Sequence, residues 1–344
     1  MNLLDEKTKQ IENWYDTNKL LYETCAKEIC TIIGKLLKRG DIQYHSITYR
    51  LKEKKSFLKK IKNKNYDNPL EQVMDLSGIR IIAYTAKDVE KICNIIKNEF
   101  IIDYKNSINK ANDLEADRVG YLSIHYIAEL NKTRSNLPEY EPISNIKTEI
   151  QVRTLLQHAW AEIEHDRNYK FSGVLPKEIA RRFYLIAGVL EMVDREFDLL
   201  SVEIDKYAHE IRDKTERGDL DVNIDSTSLL EYMNSKFKNI KLYKKDELFE
   251  EYFIKELNNF GIYTLNDIEK IIPSDFEYII EKRKINTTYI GILRNIMLIN
   301  NIDKYFQNAY KRSNWSIMSE SSINVLSDYN IDVKKYLKQY NIKR

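Results

Sequence analysis

Residues Lys147–Lys170 read KTEIQVRTLLQHAWAEIEHDRNYK, and two periods meet within them. From Thr148 to Arg153 the pattern alternates. Thr148, Ile150 and Val152 share one face of a strand, and Glu149, Gln151 and Arg153 share the other. From Leu155 the step lengthens. Leu155, Ala159 and Ile163 recur at helical spacing, while His158, Glu162 and His165 line another face. A strand that presents an acid, an amide and a guanidinium in a row, then runs directly into a polar-faced helix, predicts a site rather than plain core.

Upstream, Gly120–Leu130 alternates as well. Leu122, Ile124, Tyr126, Ala128 and Leu130 make an apolar face, with Tyr121, Ser123 and His125 opposite. Ile79–Tyr84 predicts a buried strand, preceded by a short helix from Pro69 that ends at Ser77-Gly78, with Asp75 at its close. Thr85 and Asp88 form a capping box for a helix over 86–98. Phe100–Tyr104 reads as a strand, and 105–118 and 131–146 as loops. At the N-terminal end, Ile11, Tyr15, Tyr22, Cys25, Ile29, Ile32 and Leu36 predict one helix over 5–38 that Gly40 ends. An extended His45–Leu51 then leads into a basic helix. Residues 50–64 hold eight Lys or Arg against one acid, Glu53.

Downstream, Phe183, Ile186, Leu190, Val193 and Phe197 keep a helical period through 176–217. The remainder reads as short helices, including a helix, glycine turn and capped helix over Leu257–Ile268. The expected fold class is therefore α/β (α+β): a mixed β-sheet flanked by helices, followed by a mostly helical C-terminal domain. Four parts are expected: an N-terminal helix in 1–40, a catalytic-type domain in 41–175, a helical extension in 176–217 and a helical regulatory or partner domain in 218–344.

The totals exclude little but point one way. The 344 residues, 43% hydrophobic and 31% charged, suit a globular protein of two or three domains. A net charge of +2 does not by itself predict nucleic-acid binding. No apolar run approaches a membrane span, and Met1–Lys9 is unlike a signal peptide. Cys25, Cys30 and Cys93 lack metal spacing and read as buried thiols of a reducing, cytoplasmic compartment.

Asp75 before one strand and Glu149 on another are two carboxylates suited to Mg2+, which takes oxygen ligands and keeps waters for phosphate. Around them Arg50, Lys52, Lys60, Arg80 and Arg153 supply cations, the equipment of phosphoryl or pyrophosphoryl transfer. Tyr121 is placed to stack on a base. The bland readings are a turn aspartate and a solvated basic face. His158, Glu162 and His165 have the spacing of zinc ligands but read first as hydrogen-bonded structure. No Walker A loop and no G-x-G-x-x-G is present.

Three segments, Asp75-Leu-Ser-Gly-Ile-Arg80, Gly120-Tyr-Leu-Ser-Ile-His125 and Glu149-Ile-Gln-Val-Arg153 continuing to Tyr169-Lys170, resemble in order and spacing the (p)ppGpp synthetase domain of the RelA/SpoT family. The resemblance covers about 40–175. It implies a nucleotidyltransferase-like synthetase that moves the β,γ-pyrophosphate of ATP onto the 3′-hydroxyl of GDP or GTP with Mg2+, a GTP pyrophosphokinase. By it, Arg50 and Arg80 would flank the adenine, and Lys52, Ser56 and Lys60 would hold ATP phosphates. Asp75 and Glu149 would bind Mg2+, Glu149 also activating the acceptor hydroxyl. Tyr121 would stack on the acceptor base, with His125, Gln151 and Arg153 beside it. Two positions depart from the family pattern. Val119 stands where the family has an Asn that reads guanine, and Leu122 where it has an Arg. Small toxic members that pyrophosphorylate the 3′ CCA end of tRNA are therefore a second reading, and a non-catalytic sensor a third. The implied partners are ATP with GDP or GTP, tRNA under the second reading, a second copy of the chain along 176–215 and a protein partner at 218–344. No membrane is implied.

Overall fold

The computed structural model describes residues 3–64, 66, 68–109, 123–170, 176–240, 249–285, 287–311 and 315–343. By packing, the chain divides into two compact units, Met1–Ser201 and Val202–Arg344. No helix among the described residues is long and apolar enough to cross a membrane.

The first unit is built on a mixed sheet of six strands among the described residues: β1 (Ser46–Leu51), β2 (Ser77–Ala83), β3 (Phe100–Ile102), β4 (Ile108–Asn109), β5 (Ile124–Leu130) and β6 (Thr148–Thr154). The order is β1-β2-β6-β5-β3, with β4 also paired to β5. Only β2 and β6 run parallel. The alternation of β6 decides which face is dry. Thr148, Ile150 and Val152 are fully buried. They pack with Ile79 and Ile81 of β2 under two helices, α1 (Leu3–Arg39) and α4 (Ala86–Glu99), which contribute Ile29, Ile33, Ile92 and Ile96. Within this core Thr148 Oγ1 meets Ser77 Oγ at 2.8 Å and Cys25 Sγ at 3.5 Å, so the polar atoms of the apolar face satisfy one another. The opposite face of the sheet holds the charged residues.

Several local expectations are revised. The helix after Asn68 is only α3 (Pro69–Gln72), and Ser77 and Gly78 belong to β2, so Asp75 sits in extended chain and not at a helix end. Val73, Leu76 and Phe57 pack with Tyr15 of α1, which anchors this stretch on either side of Asp75. The span 131–146 is not all loop. Asn131 accepts from the Arg134 N–H and starts α5 (Lys132–Ser135), and a 3-10 turn follows at Pro138–Ile143. In α6 (Leu155–Lys170) the apolar stripe faces outward: Ile163 is 57% exposed and Leu155 is exposed, while Trp160 is buried. Likewise Ile186, Val193 and Phe197 of α7 (Lys177–Glu216) are exposed, and Ala187, Asp194 and Ile211 are the buried positions. α6 meets the polar face of β2 and β6 through Glu162, which pairs with Arg80 and Arg153, so it needs no continuous apolar stripe there.

The second unit is helical. It takes the end of α7 and then α8 (Ser226–Lys236), α9 (Glu251–Phe260), α10 (Leu265–Ile271), α11 (Phe276–Lys282), α12 (Tyr289–Lys304), α13 (Glu320–Asp328) and α14 (Lys334–Gln339). The glycine turn behaves as its sequence predicts. Gly261 ends α9 in the left-handed region at φ 90°, and Thr264 with Asp267 caps α10 as a capping box. Leu229, Phe253, Leu257, Leu265, Phe276 and Leu293 form its core.

Candidate active site

Register places the polar residues of four strands in rows. Arg50, Gly78, Glu149 and Ile127 stand side by side, and beside them Thr48, Arg80, Gln151 and His125. Residues paired directly across strands point to the same side. Arg153 follows beyond Gln151 on that face, opposite Ile82.

Gly78 opens this floor. A Cβ at Gly78 would lie 3.3 Å from both Cγ and Nε of Arg50. Because none is there, the Arg50 side chain crosses β2, and its Nη2 comes within 3.9 Å of Glu149 Oε2. Glu149 is held from its own and the neighbouring strand. Gln151 Nε2 donates to Oε2 at 2.8 Å, and His125 Nδ1 lies 3.3 Å from Oε1 while its Nε2 meets Ser123 Oγ at 2.9 Å. Burial pushes the Glu149 carboxyl up, but His125 and Gln151 outweigh it and hold the group below its ordinary value. The negative charge of Asp75 adds to the upward push on the Glu149 carboxyl.

Asp75 is gripped from the basic segment. Lys52 Nζ and Lys60 Nζ each lie 2.8 Å from the same oxygen, Oδ2. Oδ1 is buried without a hydrogen-bond partner among the described residues. Burial raises the Asp75 carboxyl, but the two lysines, through hydrogen bonds and charge, bring it below its usual value. Lys52 is fixed through its backbone: its N–H donates to Leu76 O at 2.9 Å, and its carbonyl accepts from Tyr15 Oη at 2.7 Å. Ser56 lies in the first turn of α2 (Lys54–Lys64), where free N–H groups and the helix dipole favour phosphate.

A cleft of about 1040 Å³ opens over this floor. Of the sequence candidates, Arg50, Lys52, Ser56, Arg80, Gln151 and Arg153 line it. Asp75, Lys60, Glu149 and His125 lie behind that lining and touch it through Lys52, Arg50 and Gln151. Tyr121 falls outside the described residues, as do Val119 and Leu122. The far wall consists of Trp160, Glu162 and His165 from α6 with Tyr184 from α7. Of that wall, the sequence singled out Glu162 and His165 but not Trp160 or Tyr184. Trp160 is anchored by its Nε1, which donates to Phe183 O at 3.1 Å. Its only signal was an indole inside a polar helix. Glu162 Oε1 pairs with two guanidiniums, Arg80 Nη1 at 3.0 Å and Arg153 Nη2 at 3.5 Å, and lies 3.6 Å from His158 Nδ1. Burial, then the charges of Arg153 and Arg80, hold His158 below its ordinary value. Among the described residues no group of three or more His, Cys, Asp or Glu is arranged to hold a metal.

The arrangement brings Arg50, Lys52, Lys60, Arg80 and Arg153 together at one cleft, among the carboxylates of Asp75, Glu149, Glu53, Glu162 and Glu164, and the clustered cations suit a polyanionic substrate. Residues 49–174 match the family model described as the region found in RelA / SpoT proteins. The matched span includes every strand of the sheet except the first residues of β1, and the whole of α6. Among curated proteins the chain is similar to the GTP pyrophosphokinase YwaC of Bacillus subtilis, 29% identical over 140 residues. That match covers 39% of this chain and 61% of YwaC, so it spans less than two thirds of that relative. It is also similar to the GTP pyrophosphokinase YjbM of the same organism, 27% identical over 165 residues, covering 46% of this chain and 72% of YjbM. The solved structure of small alarmone synthetase 1 from B. subtilis superposes with a TM-score of 0.48 at 21% identity, covering 56% of this chain and 99% of that one.

Proposed function

We propose that the chain is a nucleotide pyrophosphokinase that transfers the β,γ-pyrophosphate of ATP to the 3′-hydroxyl of GDP or GTP, making (p)ppGpp. The observation that supports it most is Asp75, a buried carboxylate gripped by Lys52 and Lys60 on one oxygen and unpartnered on the other. That free, buried, anionic oxygen is what a hard cation requires. Mg2+ is commonly held by one or two carboxylates plus substrate phosphates, so Asp75 and Glu149 fit it without a third protein ligand. When bound, Mg2+ supplies neutralisation of the charge that develops on the phosphoryl oxygens.

In this reading Arg50 and Arg80 flank the ATP base, and their guanidinium planes suit stacking. Lys52, Ser56 and Lys60 take the phosphates. The two lysines then exchange the Asp75 oxygen for phosphate oxygens, so nucleotide binding frees Asp75 Oδ2. Glu149, held ionised by His125 and Gln151, accepts a hydrogen bond from the acceptor 3′-hydroxyl and receives its proton as the oxygen attacks the β-phosphorus. The bond between the β-phosphorus and the oxygen it shares with the α-phosphate breaks, and AMP leaves. Arg153 and Tyr121 are assigned to the acceptor side. The names of YwaC and YjbM support this choice of reaction.

The test uses purified full-length chain with ATP labelled in its β,γ-phosphates, Mg2+ and a choice of acceptors. Labelled tetra- or pentaphosphate from GDP or GTP is expected, with loss of at least a hundredfold in Glu149→Gln. Label on deacylated tRNA and none on GDP or GTP would assign the acceptor to a tRNA 3′ end instead. No transfer to any of these acceptors would overturn the proposal.

A further inference from the structure

Helix α12 breaks two local preferences on one face. Gly291 sits in its first turn, although alanine is the better helix former. A Cβ there would meet Thr287 Oγ1 at 2.5 Å, so the glycine keeps that hydroxyl close against the helix start. One turn on, Asn295 is 2% exposed. Its Nδ2 has no hydrogen-bond partner among the described residues. The other buried side chains of α12 are apolar or aromatic. An unsatisfied buried amide opposes folding, so its presence here calls for a partner the chain does not supply.

Both residues line one hollow of about 290 Å³. Its border includes the N-caps of two helices, Thr288 of α12 and Ser319 of α13. Helix starts bring spare N–H groups and partial positive charge. Arg294 adds a guanidinium whose Nε and Nη2 are spent on Glu256, at 2.8 and 2.7 Å, in a fork that does not use Nη1. Trp315, Leu298 and Met318 give an apolar wall. No acidic side chain lines the hollow among the described residues.

We propose that this hollow binds a small organic anion. Its carboxylate or phosphate group accepts the Asn295 Nδ2 hydrogen beside the two helix starts, and its apolar body lies against Trp315. The donors, the absence of lining acids and the apolar wall each select for one part of such a ligand. The site is built from residues 287–322 and owes nothing to the nucleotide cleft.

Phenyl phosphate and benzoate are the probes, titrated by calorimetry and by thermal unfolding into the full-length chain and two variants. At least one probe is expected to bind the parent and to raise its Tm with concentration. Asn295→Asp replaces the donor by a charged acceptor and is expected to weaken that probe at least tenfold. Asn295→Leu is expected to lose the probe as well, while its Tm without probe is equal or higher because the orphan donor is gone. Comparing the two probes separates a phosphate ligand from a carboxylate. Failure of both probes to bind the parent overturns the proposal, and so does equal binding by parent and both variants. A more stable Asn295→Leu chain alongside a parent that binds neither probe identifies the hollow as a water site only.

Discussion

Lys52 is held at both backbone ends before its side chain meets anything, and one of those bonds comes from Tyr15, which the sequence assigned to the apolar stripe of α1. Its hydroxyl reaches the Lys52 carbonyl at 2.7 Å, so a core residue also positions a phosphate ligand. Tyr15→Phe is expected to raise KM for ATP severalfold with kcat nearly unchanged. It should lower stability by about 1 kcal/mol, the usual net worth of such a bond, as read by steady-state kinetics and urea unfolding. Asp194 is a second residue whose surroundings matter more than its type. It is 4% exposed and accepts from Thr154 Oγ1 at 2.7 Å, just past Arg153 in β6. Burial lifts its carboxyl above the ordinary value, and Asp198 and Glu191 add to the rise. A raised folded value means that the unfolded chain loses this proton first, so stability falls as pH rises through the folded value. Asp194→Asn keeps an acceptor for Thr154 and cannot ionise. It is expected to be about 1 kcal/mol more stable than the parent at pH 8, with the gap closing toward pH 4, measured by urea midpoints across that range.

At the level of elements, the floor of the cleft is a matter of register. A shift of β2 by one residue would turn Arg80 into the core and Ile81 into the cleft. Gly78 shows how narrow the fit is, because its missing Cβ is what lets Arg50 pass over β2 to Glu149. Gly78→Val is expected to displace Arg50, to raise KM for ATP about tenfold and to leave the sheet folded, since valine favours strands. Far-UV circular dichroism and nucleotide titration check both halves. The helices teach the reverse lesson. Strand alternation named the dry face of β6 correctly because that face packs on α1 and α4. The stripes of α6 and α7 did not name theirs: most of the positions they marked are exposed, and the buried ones are Trp160 of α6 and Ala187, Asp194 and Ile211 of α7.

For the whole molecule, helix α7 is unbroken through Ser201, where packing divides the chain, and it ends at Glu216. Gly218, at φ 75°, closes it, and Asp219 N–H returns to Lys214 O at 2.9 Å. Proteases cut backbone that can be drawn out into their sites. Limited trypsin digestion is therefore expected to cut after Arg217 before any site between 195 and 206, leaving a stable fragment that mass spectrometry can size. A first cut within 195–206 would show that the helix opens at the packing division. The sequence by itself determined the two periods meeting at Thr154, the dry face of β6, the capped helices around Gly261, and the residue types of a cation-rich, two-carboxylate site. These are local consequences of side-chain alternation, cap chemistry and composition, and no distant residue is needed to read them. Only the tertiary structure decided that Lys52 and Lys60 share one oxygen of Asp75, that Gly78 clears a path for Arg50, and that Trp160 and Tyr184 close the far wall. Those facts depend on strand register and helix placement, which are set by contacts between residues far apart in the chain, and no spacing along the sequence encodes them.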